Sequence, residues 1–257
     1  MNARHRLAAA MLTWSAVVAA CGSPPPPAPA GGDRSVDPAT AGSLAGRAVF
    51  AGTPPAAETI RMTADAACVA AAGPTPPSDR VLIAADGGLQ NVFVYVKEGL
   101  DPVSAFPIPV EPVRLDQHGC VYAPRVLGVR AGQPLEIANS DDTLHNVHAM
   151  PMLNRDFNLG MPRKAMTLTQ TFTVPEVMVR FKCNVHPWMD AYVGVVAHPL
   201  FAVTDGTGAF EIAGVPPGTY TLEAWHERFG TRTARVTLGA RGRETASFTF
   251  AATPRRP

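Results

Sequence analysis

The chain has 257 residues and a formal net charge of +1. This length provides for one large domain or two small ones with a substantial core. The near-zero charge gives no reason to expect a nucleic-acid partner or a strongly charged partner surface. The 26 prolines and 22 glycines favour short strands and tight turns over long helices.

The first twenty residues have the composition of a targeting segment. Arg4 and Arg6 precede an apolar stretch over 7–20 that is too short to span a bilayer as a mature helix. Small residues stand directly before Cys21, and a glycine follows it. This run resembles the signal of bacterial lipoproteins, which implies a signal peptide over 1–20, lipidation of Cys21, and export to the periplasmic face of a membrane, with the glycine favouring the outer membrane. The alternative is an ordinary secretory signal with an incidental cysteine.

Residues 21–41 are rich in proline, alanine and glycine and predict a disordered tether. Beyond it, an exported chain meets an oxidising compartment, where an unpaired cysteine needs an explanation. One allocation pairs Cys68 with Cys120 as a disulfide and leaves Cys183 free to bind a metal. The rival allocation pairs Cys183 with Cys68 or Cys120 and excludes metal binding by Cys183.

Strand patterns continue from residue 42 to the end of the chain. Residues 42–111 predict an N-terminal β segment with a central strand over 91–96, a short strand over 59–62 and one helical turn near Cys68. Residues 112–198 predict a second β unit. Within it, 150–168 have little strand pattern and are expected to form a loop that contains four methionines.

One short loop of this second unit combines three soft or borderline metal ligands. Cys183, His186 and Met189 recur at every third position between two predicted strands. Blue-copper sites use two histidines and a cysteine in a trigonal set, with a weak axial methionine. A second histidine is expected from a distant strand end, and His145 fits. Taken singly, each residue is better explained as a packed or surface side chain; together, in an exported chain, they predict copper.

Two neighbours of His145 are assigned other roles. His148 lies three residues further on, and an odd offset on a strand places it on the opposite face, so we expect a structural or surface role. Asp141 and Asp142 are expected to solvate the turn before His145. We also expect the metal itself to lower the pKa of the Cys183 thiol.

The run from Gly132 to His148, followed by the Cys-x-x-His-x-x-Met loop at Cys183, resembles the cupredoxins, in particular the amicyanin-like and plastocyanin-like members. The resemblance covers roughly residues 112–198. It implies a Greek-key β-sandwich with one type 1 copper ion bound by His145, Cys183, His186 and Met189. It also implies that Asn146 joins the two ligand segments and hydrogen-bonds near the sulfur, and that His186 presents its ring edge at an apolar surface where electrons leave.

The C-terminal residues 199–252 predict a small all-β unit with a hairpin over 203–210. Its turns resemble those of carboxypeptidase-regulatory or transthyretin-like (prealbumin-like) domains, which implies a small non-catalytic β-sandwich. Residues near 46 and the strand over 92–96 resemble parts of the same module. Two arrangements therefore remain open, with the cupredoxin region either following a separate N-terminal segment or inserted into this module.

These patterns together predict an all-β, non-enzymatic protein that transfers single electrons through copper to or from a redox partner in the periplasm or membrane. A second hypothesis is a copper-trafficking or storage lipoprotein that uses the same ligands and the methionines of 150–168. A third is a metal-free β-sandwich that serves as a binding or scaffold module.

Overall fold

The computed structural model describes residues 34–102 and 104–252. The predicted signal peptide, Cys21 and most of the predicted tether lie outside these residues. The described part consists of strands with one short helix, and the predicted all-β fold is confirmed. No helix in this part of the chain has the length and apolar character that crossing a bilayer requires.

The elements in chain order are β1 (Arg34–Ser35), β2 (Gly42–Ala51), α1 (Ala66–Ala72), β3 (Phe93–Glu98), β4 (Ser104–Ala105), β5 (Val113–His118), β6 (Val121–Ala123), β7 (Val126–Arg130), β8 (Pro134–Asn139), β9 (His145–Met150), β10 (Phe157–Met161), β11 (Met166–Thr171), β12 (Glu176–Lys182), β13 (Asp190–Val196), β14 (Phe201–Val203), β15 (Ala209–Val215), β16 (Gly218–His226), β17 (Gly230–Leu238) and β18 (Arg243–Ala251).

The middle of the chain forms a sandwich that we call the inner sandwich. Its five-stranded sheet has the order β10-β9-β12-β13-β7, and its four-stranded sheet has the order β11-β8-β5-β6. Alternate residues of each strand point into the core, where Val147, Phe181 and Val193 are fully buried. The region 150–168, expected to be a loop, contains β10 and the start of β11 instead.

The two ends of the described chain form a second sandwich, the outer sandwich. Its sheets have the orders β14-β3-β16-β17 and β15-β2-β18. Strands from 42–111 and from 199–252 therefore share one core, and the inner sandwich is inserted between β3 and β14. The hairpin expected over 203–210 is wrong, since β14 pairs with β3 while β15 pairs with β2. The strand expected over 59–62 is reduced to one isolated bridge between Thr59 and Pro77.

Aromatic rings of the outer sandwich pack against glycines of the inner one. Gly128 and Gly194 lie opposite each other on β7 and β13. A Cβ on Gly194 would come within 2.4 Å of Phe93, and one on Gly128 within 2.2 Å of Phe201. The absence of side chains at these two positions therefore allows the rings to lie directly on the sheet.

Candidate metal centre

Two chain segments meet at one end of the inner sandwich. The first is the turn before β9, which Asn139 shapes by accepting from the Asp141 N–H at 3.0 Å and donating to the Thr143 carbonyl at 3.0 Å. The second is the loop from β12 to β13, closed by a bond from the Cys183 N–H to the Met189 carbonyl at 3.1 Å. Hydrogen bonds within each segment thus fix its conformation.

Three predicted ligands converge there. The Nδ1 atoms of His145 and His186 are 3.0 Å apart, and the Cys183 Sγ lies 3.9 Å from the His186 Nδ1. One ligand atom from each residue falls within 4.8 Å of the others. All three side chains are buried, and Met189 is buried in the same apolar cluster as Cys183.

A carboxylate contacts the far nitrogen of each histidine. The His145 Nε2 lies 2.9 Å from Asp141 Oδ2, and the His186 Nε2 lies 3.0 Å from Asp65 Oδ2. Because an ionised carboxylate only accepts hydrogen bonds, each Nε2 carries a proton. When both rings are neutral, their two Nδ1 lone pairs face each other beside the Cys183 sulfur. A cation bound between these three atoms would relieve the repulsion between the lone pairs. Two imidazoles, a thiolate and a buried thioether match the donor set of blue copper.

The groups around Cys183 lower the pKa of its thiol. Burial raises its pKa, but hydrogen bonds with His145, with the His186 side chain and with two backbone N–H groups outweigh burial and lower the pKa to about 6. The backbone donors are those of Asn146 and His186, each 3.4 Å from the sulfur. The surrounding protein groups therefore favour the thiolate, which is the form that binds metals, and the expected effect of a metal on this pKa stays a prediction.

The pKa of His145 moves in the opposite direction. Burial lowers it, but the bond to Asp141 and the neighbouring Cys183 raise it to about 9. The raised pKa of His145 and the lowered pKa of Cys183 favour an imidazolium beside the thiolate. A metal ion that binds here displaces that proton, as expected for a site whose ligands must be deprotonated.

Asn146 links the two ligand segments. Its side-chain Oδ1 accepts from the Asn184 N–H at 3.1 Å, while its own N–H points at the Cys183 sulfur. His148 is set apart from the three converging ligands and contacts the exposed Asn184 Oδ1 through Nδ1 at 3.3 Å.

The expectation that His186 presents its ring edge at the surface is wrong. Only 2% of His186 is exposed. Besides Asp65, the Cys68 sulfur lies 3.5 Å from its Nε2, and the Trp188 ring packs against it with centroids 5.1 Å apart. Cys68 and Cys120 form a disulfide in the structure, and among the described cysteines Cys183 alone is free.

Sequence reasoning missed the two carboxylates. Asp141 was expected to solvate a turn, but it is buried and also accepts from the backbone N–H groups of Gly119 and Cys120. Asp65 is the N-cap of α1, where its Oδ1 accepts from the Ala67 and Cys68 N–H groups at 2.8 and 3.0 Å. An acidic residue before an alanine run signals a helix start, but nothing local indicates that its second oxygen reaches a histidine.

Comparison with known proteins gives the following matches. Residues 187–251 match the family model of the carboxypeptidase regulatory-like domain. No curated protein matches the chain. A purple cupredoxin from Nitrosopumilus maritimus is 18% identical, with 32% of this chain and 97% of that chain covered and a TM-score of 0.28. A reduced variant of amicyanin is 26% identical, with 33% and 81% covered and a TM-score of 0.30. A copper-containing nitrite reductase from Thermus scotoductus is 17% identical, with 58% and 28% covered and a TM-score of 0.29. The chain is thus an all-β protein with a carboxypeptidase regulatory-like match and weak structural similarity to cupredoxins.

Proposed function

We propose that this protein transfers single electrons through one copper ion that His145, Cys183 and His186 would hold, with Met189 as a weaker fourth ligand. The observation that carries the proposal is the convergence of two Nδ1 atoms and a thiolate in a buried site, with both outer nitrogens held by carboxylates. A bound copper would supply a one-electron couple. The protein has no substrate of its own and exchanges electrons with a redox partner.

The residues around the centre suit that role. The carboxylates of Asp65 and Asp141 fix the tautomer and orientation of both imidazoles, and such bonds make the ring a more basic ligand. The two N–H groups on the Cys183 sulfur stabilise its charge. Burial excludes water from the three ligands. Since the ligands are held by strands and by hydrogen bonds within their loops, little rearrangement would accompany a change of oxidation state.

An absorption spectrum of the copper-loaded, oxidised protein tests the proposal. We expect a strong visible thiolate-to-copper band. Cys183→Ser should abolish the band and leave the circular dichroism spectrum unchanged, because serine differs from cysteine by one atom and Cys183 lies at one end of a large apolar core. His148→Gln is the matched control and should retain the band. A wild-type protein that binds copper without the band, with Cys183 still reduced, contradicts the proposal.

We also propose that the protein is exported and anchored to a membrane by a lipid on Cys21. The small residues before Cys21 support this, together with the predicted tether that follows. In a bacterial host, Cys21→Ala should move the protein from the membrane fraction to the soluble fraction. Retention of the variant in the membrane fraction would contradict lipidation at this residue.

The trafficking hypothesis draws less support from the methionines. Met150 is 41% exposed and ends β9, about 17 Å along the strand from His145. Met152 is 92% exposed and lies two residues further on. The Met161 sulfur accepts from the Gln117 amide at 2.9 Å. A trafficking protein would bind copper without the visible band and release it readily to a competing chelator. The same spectrum therefore separates the two hypotheses.

A further inference from the structure

A segment of the outer sandwich closes the metal centre on the side of His186. This segment, residues 58–80, lies between β2 and β3, and we call it the cap. Asp65 and Cys68 of the cap both contact the His186 Nε2, at 3.0 and 3.5 Å. The disulfide from Cys68 to Cys120 ties the cap to the turn between β5 and β6. A partner protein therefore cannot touch the imidazole edge of His186.

Trp188 connects the closed histidine to the surface. Its ring lies against the His186 ring at a tilt of 36°, and its indole N–H donates to the Cys120 carbonyl at 2.9 Å. Trp188 is partly exposed, and with Pro187 it lines a surface cleft of about 300 Å³. The indole is thus a continuous aromatic path from the buried ligand to solvent.

The rim of this cleft carries unbalanced positive charge. Glu58 is paired with Arg228, and Arg80 with the buried Asp190. Arg61 also lines the cleft, is exposed, and has no ion pair among the described residues. An acidic or anionic group on a partner would pair with it and be guided towards the indole.

We propose that Trp188, rather than His186, is the residue through which electrons enter and leave, and that the partner presents an acidic face to Arg61. This inference rests on the proposed function. With copper bound, one electron would pass from Cu(I) through the indole to a one-electron oxidant, which would leave Cu(II) and the reduced acceptor. The indole undergoes no net oxidation, and no proton or bond changes.

The copper-loaded full chain tests this with two small oxidants, anionic hexacyanoferrate(III) and a cationic cobalt(III) complex. Trp188→Leu should keep the visible band and lose most of its electron-transfer rate with both oxidants. Trp188→Phe, which keeps an aromatic ring, should retain much of the rate. If Trp188 had only a structural role, the two variants would have equal electron-transfer rates whenever their absorption spectra are equal.

Arg61→Ala provides a second, independent measurement on a side chain outside the centre. It should slow the anionic oxidant a few-fold and leave the cationic one unaffected or faster. Val185→Ser is the control, because Val185 is an exposed apolar residue beside His186 on the same loop. An unchanged rate in Trp188→Leu with the band intact overturns the inference, and so does a loss of rate in Val185→Ser but not in Trp188→Leu.

Three further outcomes are decisive. If Trp188→Leu also loses the band, the Arg61→Ala variant decides. The inference is then overturned if that variant reacts with each oxidant at the same rate as the wild type. A wild-type protein without the band overturns the proposed function and this inference together. A band with unchanged rates in the variants overturns this inference alone.

Discussion

Asp65→Asn isolates the bond between the cap and His186. In the wild type, Asp65 Oδ1 caps α1 while Oδ2 holds the His186 Nε2 at 3.0 Å. Asparagine is as good an N-cap as aspartate, so the helix should persist. Its NH₂ group would then face the ring N–H of His186, and two donors would oppose each other. The favoured response is a change of tautomer, which places the proton on Nδ1, where the metal should bind.

The expected loss is large enough to measure. Replacing the outer partner of a metal-bound histidine costs roughly 10–100-fold in metal affinity, or about 1.4–2.7 kcal/mol. Cu(II) depends more on a basic imidazole than Cu(I) does, since its charge is higher. If Cu(II) loses about tenfold more affinity than Cu(I), the reduction potential rises by about 59 mV.

Competition with a chelator of known affinity gives the first quantity, and voltammetry gives the second. Asp205→Asn is the matched control, because Asp205 Oδ1 likewise accepts backbone N–H groups, in an exposed turn of the outer sandwich. If Asp65→Asn binds copper with wild-type affinity and potential while its helix is intact, the bond to His186 does not tune the centre and the reasoning is refuted.

Three further predictions concern stability. The pKa of His226 is lowered to about 4, first by burial and then by nearby arginine charges. The folded state therefore favours the neutral ring, and about 3 kcal/mol of stability should be lost as pH falls from about 6.5 to 4. In His226→Asn the urea midpoint of unfolding should depend less on pH across that range. An unchanged pH dependence would contradict this. Replacing both Cys68 and Cys120 by alanine removes a cross-link with a sequence separation of 52. The free energy of unfolding measured in denaturant titrations should fall by about 2–4 kcal/mol. A denaturant midpoint equal to that of the wild type would contradict this stabilisation by the disulfide. Gly194→Ala forces a Cβ against the buried Phe93 ring and should lower the free energy of unfolding by about 1–3 kcal/mol. Gly160→Ala is the control and should be near neutral, because a Cβ there meets nothing within 4 Å. Equal melting temperatures for the two variants would refute the packing argument.

The sequence was most informative where the relevant interactions are local. Cys183, His186 and Met189 share one loop, so their spacing alone predicts that they approach each other. His145 required one further assumption, that a histidine at a strand end would meet that loop. The strand β10 was missed although Phe157, Leu159 and Met161 alternate, because the surrounding methionines and polar residues suggested a loop.

Long-range features were only partly accessible, since the Cys68–Cys120 disulfide and the insertion of one β unit into another were each one of two alternatives. Asp65 lies 121 residues before His186, in a stretch without a strand pattern, and its role follows from how the cap packs. The pairing of β2 with β15 and β18 joins residues from opposite ends of the described chain. A single sequence contains the apolar alternation of each strand but not the identity of its neighbour.

The insertion of one sandwich into the other has a consequence for the metal centre. The three converging ligands belong to the inner sandwich, whereas Asp65 and Cys68 belong to the link between β2 and β3 of the outer one. The outer sandwich holds both ends of that link, and the disulfide from Cys68 to Cys120 ties its middle to the inner sandwich. Both therefore position the hydrogen bond on His186 Nε2. The inner sandwich supplies the donor atoms and Trp188, which packs on the His186 ring. The link of the outer sandwich supplies the carboxylate that fixes the tautomer of His186 and part of its cover. An isolated domain with the same ligand loop would have neither Asp65 nor the Cys68 sulfur beside this ring, so the outer sandwich is part of the centre and not only an attachment.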